Sequence, residues 1–154
     1  MRRTAKKGYT ILEIIIVLAI MAVISVLTIG SFSTLGAAKS IDTNTQQIAL
    51  ELQKARSLTL ASQDESQYGV HFASSSVTLF EGSSYASSAT TTVTYLNPSV
   101  AISHLALNGG GYDVLFDRLT GKTSQNGAVT VTISGKLSTS KTITIYSTGI
   151  TEIQ

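Results

Sequence analysis

Cysteine is absent from the 154 residues. That excludes disulfides, thiolate metal sites and cysteine nucleophiles. It assigns no compartment, because oxidising compartments permit disulfides without requiring them. Proline occurs once, at Pro98 after Asn97, where it opens a loop. Charge is scarce at 13% and almost balanced, with eleven basic against nine acidic residues. Four of the basic residues (Arg2, Arg3, Lys6 and Lys7) lie in the first eight positions, so the body carries seven against nine. A body this close to neutral argues against a nucleic-acid binder.

The signatures of catalytic or metal chemistry are also missing. The two histidines, His71 and His104, fall in predicted strands without His-x-x-His or His-Glu-x-x-His spacing, so they read as surface or packed side chains rather than zinc ligands. No Gly-x-Ser-x-Gly elbow occurs. Gly109-Gly110-Gly111 lacks the lysine and the strand-to-helix context of a phosphate loop. Asp113 and Asp117 flank a strand without the acidic spacing of a calcium loop, and read as solvated charge. The expectation is a protein that is not an enzyme and holds no metal or cofactor. Its length suits one globular domain with an appendage.

What the chain does have is apolar residue, at 43%, distributed very unevenly. After the basic octet MRRTAKKG, residues 9–29 read YTILEIIIVLAIMAVISVLTI with Glu13 as the only charge. As a helix this stretch is roughly 30 Å long, enough to cross a hydrocarbon core. Isoleucine and valine are middling helix formers in water. In lipid, a helix satisfies the backbone whatever the apolar side chains. The leading cations hold the N-terminus in the cytoplasm and place the remainder outside. Two plainer readings are an uncleaved signal anchor and a cleaved secretory signal ending near Gly36-Ala37-Ala38. The apolar run exceeds the signal-peptide core of about 7–15 residues. Neither reading explains Glu13, whose carboxylate is disfavoured by about 2.5–3.5 kcal/mol at a membrane centre, and by less near its surface.

The string Lys7-Gly8-Tyr9-Thr10-Ile11-Leu12-Glu13, continued by Ile14-Ile15-Ile16-Val17-Leu18-Ala19-Ile20, resembles the prepilin signal of type IV pilins and type II secretion pseudopilins. The resemblance implies cleavage after Gly8 by a membrane-embedded prepilin peptidase and N-methylation of the new first residue, Tyr9, where the family usually has Phe. It also implies that Glu13 is the assembly residue. The implied partners are other pilin or pseudopilin subunits, the peptidase and an inner-membrane assembly platform. The physics of that role is plain: a cationic amine on Tyr9 and the carboxylate of a neighbour's Glu13 are each unfavourable alone in low dielectric and much less so as a pair.

Beyond Ile29 the pattern turns amphipathic. Ala37, Ala38, Ile41, Thr45, Ile48, Leu52, Ala55 and Thr59 recur at spacings of three and four, which is one helix face. Glu51 and Arg56 flank that stripe as solvated charge. Gly30 and Gly36 weaken the run by about 1 kcal/mol each. Many type IV pilins carry a kinking proline near the position of Gly30. The helix is expected to end near Ser62. Strand-like segments follow at Tyr68–Phe72, Val77–Phe80, Val93–Leu96, Ala101–Leu107, Tyr112–Phe116, Ala128–Ile133, Lys141–Ser147 and Ile150–Ile153, with a hairpin loop over Ser134–Ser140. A sheet of this kind needs a cover, and the stripe from Ile41 to Thr59 supplies one.

The expected fold is therefore α+β, with a long N-terminal helix whose second half packs on an antiparallel β-sheet head. Residues 1–8 are read as leader, 9–30 as transmembrane or filament-core helix, 31–62 as the amphipathic half and 63–154 as head. Ala55-Arg56-Ser57-Leu58-Thr59-Leu60-Ala61, Tyr68-Gly69-Val70-His71-Phe72, Phe116-Asp117-Arg118-Leu119-Thr120-Gly121 and Ile143-Thr144-Ile145 with Thr148-Gly149-Ile150 are similar to the GspH/FimT pseudopilin-like group. That similarity implies a minor pilin or pseudopilin, held in the cytoplasmic membrane with its head outside and then placed in a filament. A main filament subunit, a DNA-capturing pilin and a membrane-anchored head that does not polymerise are the competing readings. Four dispersed head cations (Arg118, Lys122, Lys136 and Lys141) beside Glu81, Asp113, Asp117 and Glu152 argue against DNA.

Overall fold

A computed structural model describes residues 9–88, 90–134 and 136–154, with side chains described outside 27–35, 37 and 136–138. The expected leader, including Gly8, and the Lys136 side chain lie outside them. One long helix, α1 (Ile11–Leu60), is followed by eight strands. These are β1 (Tyr68–Ala73), β2 (Ser76–Glu81), β3 (Thr91–Tyr95), β4 (Val100–Leu107), β5 (Asp113–Leu115), β6 (Gly127–Ile133), β7 (Lys136–Ile145) and β8 (Thr151–Ile153). The chain divides into two compact units, up to Gly36 and from Ala37 onward. In the second unit the helix packs on antiparallel sheets, as the sequence pattern predicts.

Within that unit the stripe works as a core face from Ile41 on. Ile41, Thr45, Ile48, Leu52, Ala55 and Thr59 are all buried, while Ala38 is exposed. The hydroxyls on this face return to the helix itself: Thr45 Oγ1 donates to the Ile41 carbonyl at 2.7 Å and Thr59 Oγ1 to the Ala55 carbonyl at 2.9 Å. A threonine can therefore stand on an apolar stripe without an orphaned polar atom.

The single expected sheet is two. One runs β3-β2-β1-β5 and the other β4-β6-β7-β8. Alternation of apolar and polar residues reports which face of a strand is buried, and both sheets bury a face against the same helix stripe. Val70, Phe72, Val77 and Val114 come from one sheet and Val129, Val131, Ile143 and Ile145 from the other, and all join Ile48 and Leu52 in one core. One further expectation is corrected. The stretch expected as a hairpin loop, Ser134–Ser140, is largely strand. β7 begins at Lys136, and an irregular register steps from Thr132↔Ser140 to Ile133↔Lys136. In β2, Val77, Thr78, Leu79 and Phe80 are all buried. The outer face of the first sheet is covered too, because Tyr85 meets Phe80 edge-on with ring centres 5.9 Å apart.

The helix ends at Leu60, after which Ser62, Asp64 and Glu65 adopt positive φ through a tight 3₁₀ turn. The turn returns the chain so that the backbone N–H of Tyr68 donates to Thr59 Oγ1 at 2.9 Å. One hydroxyl thus joins the end of α1 to the start of β1. Thr59→Val keeps the shape but strands the buried Tyr68 N–H. It is expected to lower unfolding free energy by about 1–3 kcal/mol, seen as a lower denaturant midpoint at unchanged slope. A loss below about 0.5 kcal/mol, no larger than an ordinary surface change, would mean that the N–H finds another acceptor.

Candidate assembly site

The N-terminal unit begins with a cap. Thr10 precedes the first helical residue, and its Oγ1 accepts the Glu13 N–H at 3.2 Å. A threonine oxygen satisfying the donor three residues on is the forward half of a capping box. Sequence reasoning passed over Thr10, although Thr-x-x-Glu before an apolar run was the available signal. Glu13 itself lies in the first turn, where the helix dipole favours an anion. The cap uses the Glu13 backbone, so it does not depend on the carboxylate.

From Tyr9 to Val26 every residue is exposed, including large side chains such as Ile11 at 81% and Val26 at 73%. Ser25, the one hydroxyl between Ile14 and Val26, donates to the Met21 carbonyl at 2.7 Å. A helix apolar all round is covered by protein or lipid. Among the described residues, however, no helix is long and apolar enough to cross a membrane. Ile11 to Val26 covers about 24 Å at ~1.5 Å per residue, short of the ~30 Å of a hydrocarbon core.

In the head, the helix end, the turn at Gly121 and the turn at Gly149 converge on one arginine. Arg56 Nε donates to the Gly121 carbonyl at 3.2 Å. A Cβ on Gly149 would lie 1.9 Å from that same carbonyl and 2.9 Å from Arg56 Nε. Nearby, Arg118 donates to Ser62 Oγ through Nε at 2.9 Å and through its terminal nitrogen at 2.7 Å. Arg56 is therefore structural, not the solvated flank expected of it. Glu51 is corrected in the same way: one of its oxygens accepts the Thr94 hydroxyl at 3.0 Å, and the other is buried without a partner among the described residues.

Asp113 is not merely solvated either. Its Oδ1 meets His71 Nδ1 at 2.6 Å, and the imidazole stacks on Tyr85 with ring centres 3.9 Å apart. Asp117 is exposed. Its carbonyl accepts the Gly121 N–H at 2.9 Å, closing the turn. His104 is exposed beside an irregularity in β4. No group of three or more His, Cys, Asp or Glu side chains able to hold a metal occurs among the described residues. Two tyrosines titrate above their ordinary value. Burial, then its bond to Asp64, raises the Tyr68 phenol. The Tyr146 phenol is raised first by its 2.7 Å hydrogen bond to Glu152.

Residues 3–29 match the family of the prokaryotic N-terminal methylation motif. The match takes in the leader from Arg3 on, Gly8, Tyr9, Glu13 and the apolar run, and supports a type IV pilin-like prepilin. No curated protein and no solved structure matches the chain.

Proposed function

We propose that this protein is a structural subunit, a minor pilin or pseudopilin, of a type IV pilus or type II secretion-like filament. In this reading the peptidase cuts after Gly8, the Tyr9 amine is methylated, and residues 9–30 anchor the chain in the cytoplasmic membrane with its head outside. Subunits then leave the bilayer for the filament, guided by pairing of the Tyr9 amine with Glu13 of a neighbour. The observation that carries this is the methylation-motif match over residues 3–29. The all-round apolar exposure from Ile11 to Val26 supports it, because one surface suits lipid before assembly and like helices afterwards. Convergence of the helix end, the Gly121 turn and the Gly149 turn on Arg56 supports the narrower GspH/FimT-like placement.

Intact mass of the protein from its native membrane or sheared surface fraction tests the reading. A chain starting at Tyr9 and carrying one added methyl is expected. A full-length chain would instead make it a signal-anchored head, and a start near Lys39 a secreted domain.

A further inference from the structure

Two open sheets leave four edges, and three of them are blunted. β5 has three residues, includes Asp113, and has its Leu115 N–H donating to Gln125 Oε1 at 3.2 Å. β8 also has three residues and carries Glu152. β4 is broken by a register shift between Ile102 and His104, and its Ile102 N–H donates to the Ser74 carbonyl in the β1–β2 turn. Short length, charge, irregularity and cover are the ways in which proteins disarm a sheet edge.

β3 has none of them. It is five residues of Thr-Thr-Val-Thr-Tyr, without charge, proline or bulge, and it pairs in register with β2 along its length. The bonds that close this ladder are Glu81 N–H to the Thr90 carbonyl and Leu96 N–H to the Ser75 carbonyl. In an antiparallel pair such bonds fall on alternate residues. Thr92 and Thr94 therefore share the β2 side with Thr90 and Leu96, while Thr91, Val93 and Tyr95 turn their N–H and C=O groups outward. All three are exposed, Tyr95 at 76%. No described residue pairs with that edge.

We propose that the β3 edge pairs antiparallel with the β3 edge of a second copy of this chain, about a two-fold axis at Val93. Self-pairing follows from the chemistry of the strand. About a two-fold axis a strand meets its own sequence reversed, so a charge on the axis faces its like and the net charge of the edge meets an equal one, and a charge-free strand is the kind that tolerates its own copy. A different protein partner selected by complementary charge would find little to read here, because the sequence has no Asp, Glu, Lys or Arg between Glu81 and Asp113. With Val93 opposite Val93, each Thr91 faces a Tyr95, and the outward groups form about six backbone hydrogen bonds. A patch this small belongs to the weak, transient class of interfaces. It acts where copies are already held at high local concentration. An isologous contact also closes on itself, so it joins two assemblies side by side and does not lengthen one.

The natural lack of cysteine allows a direct test. In the pairing, the two Val93 Cα atoms lie about 5.5 Å apart, within the range that a disulfide bridges. Val93→Cys in the full chain, treated with a mild thiol oxidant, is expected to give at least about tenfold more disulfide dimer than Ser83→Cys, an exposed loop control. Adding Thr91→Pro removes an outward N–H without touching the β2 ladder, and is expected to return the dimer yield to the control level. Equal yields from the Val93→Cys and Ser83→Cys variants would overturn the proposal. So would dimer that survives Thr91→Pro, or a mixed disulfide to some other protein in place of the dimer. The result is independent of processing at Gly8, which the mass measurement reports separately.

Discussion

Glu13→Ala is expected to leave the subunit cleaved at Gly8 and membrane-bound, yet to reduce its incorporation into filaments by about a hundredfold or more. The estimate comes from the pair it breaks. Removing one partner of a desolvated ion pair leaves the other charge uncompensated, at about 3–5 kcal/mol, and every 1.4 kcal/mol is about tenfold. The helix N-terminus should survive the change, because Thr10 holds the Glu13 N–H and not the carboxylate. Loss of assembly could then not be attributed to a frayed helix. Glu13→Gln keeps size and polarity but not charge, and should fail almost as badly. Comparing membrane-bound with sheared filament fractions measures both variants, and normal incorporation of either would refute the pairing.

The second large effect lies in the head. Gly149 has φ +78°, and a Cβ there would meet the Gly121 carbonyl at 1.9 Å, with Arg56 close behind. Gly149→Ala is expected to cost about 2–5 kcal/mol, combining a left-handed backbone penalty of about 1–2 kcal/mol with overpacking of about 1–3 kcal/mol. Gly109 separates the two terms. Its φ is +84°, but a Cβ there meets nothing within 4 Å, so Gly109→Ala should cost only the backbone part. Denaturant unfolding of the two variants side by side measures the difference. Equal losses would show that the junction around Arg56 has room to spare.

The sequence carried much of this architecture because period and composition report burial. All eight predicted strands have counterparts, and the helix stripe from Ile41 to Thr59 is the buried one. Pairing was not legible. Nothing in Tyr112–Phe116 says that it joins β1, and not its predecessor β4, so two sheets were read as one. Side-chain partners that depend on the fold were equally hidden. Glu51 and Arg56 carry charge and were read as solvated, whereas Thr94 and the Gly121 carbonyl, both distant in sequence, engage them. The N-terminal methylation motif is the opposite case. Its match over residues 3–29 rests on a contiguous string, so it is legible without any tertiary information.

The Arg56 junction also sets an order of events during synthesis. Arg56 is made early, but Gly121 lies 65 residues further on, and Gly149 later still. At about 5–20 residues per second, roughly 3–13 s separate the arginine from its first partner. β8, the strand that completes the second sheet, comes after all of them. For that interval the apolar stripe of α1 is complete while half its cover does not yet exist. The chain is thus most exposed to misassembly as a nascent product, and any factor that shields it then acts on the helix stripe before the head has closed.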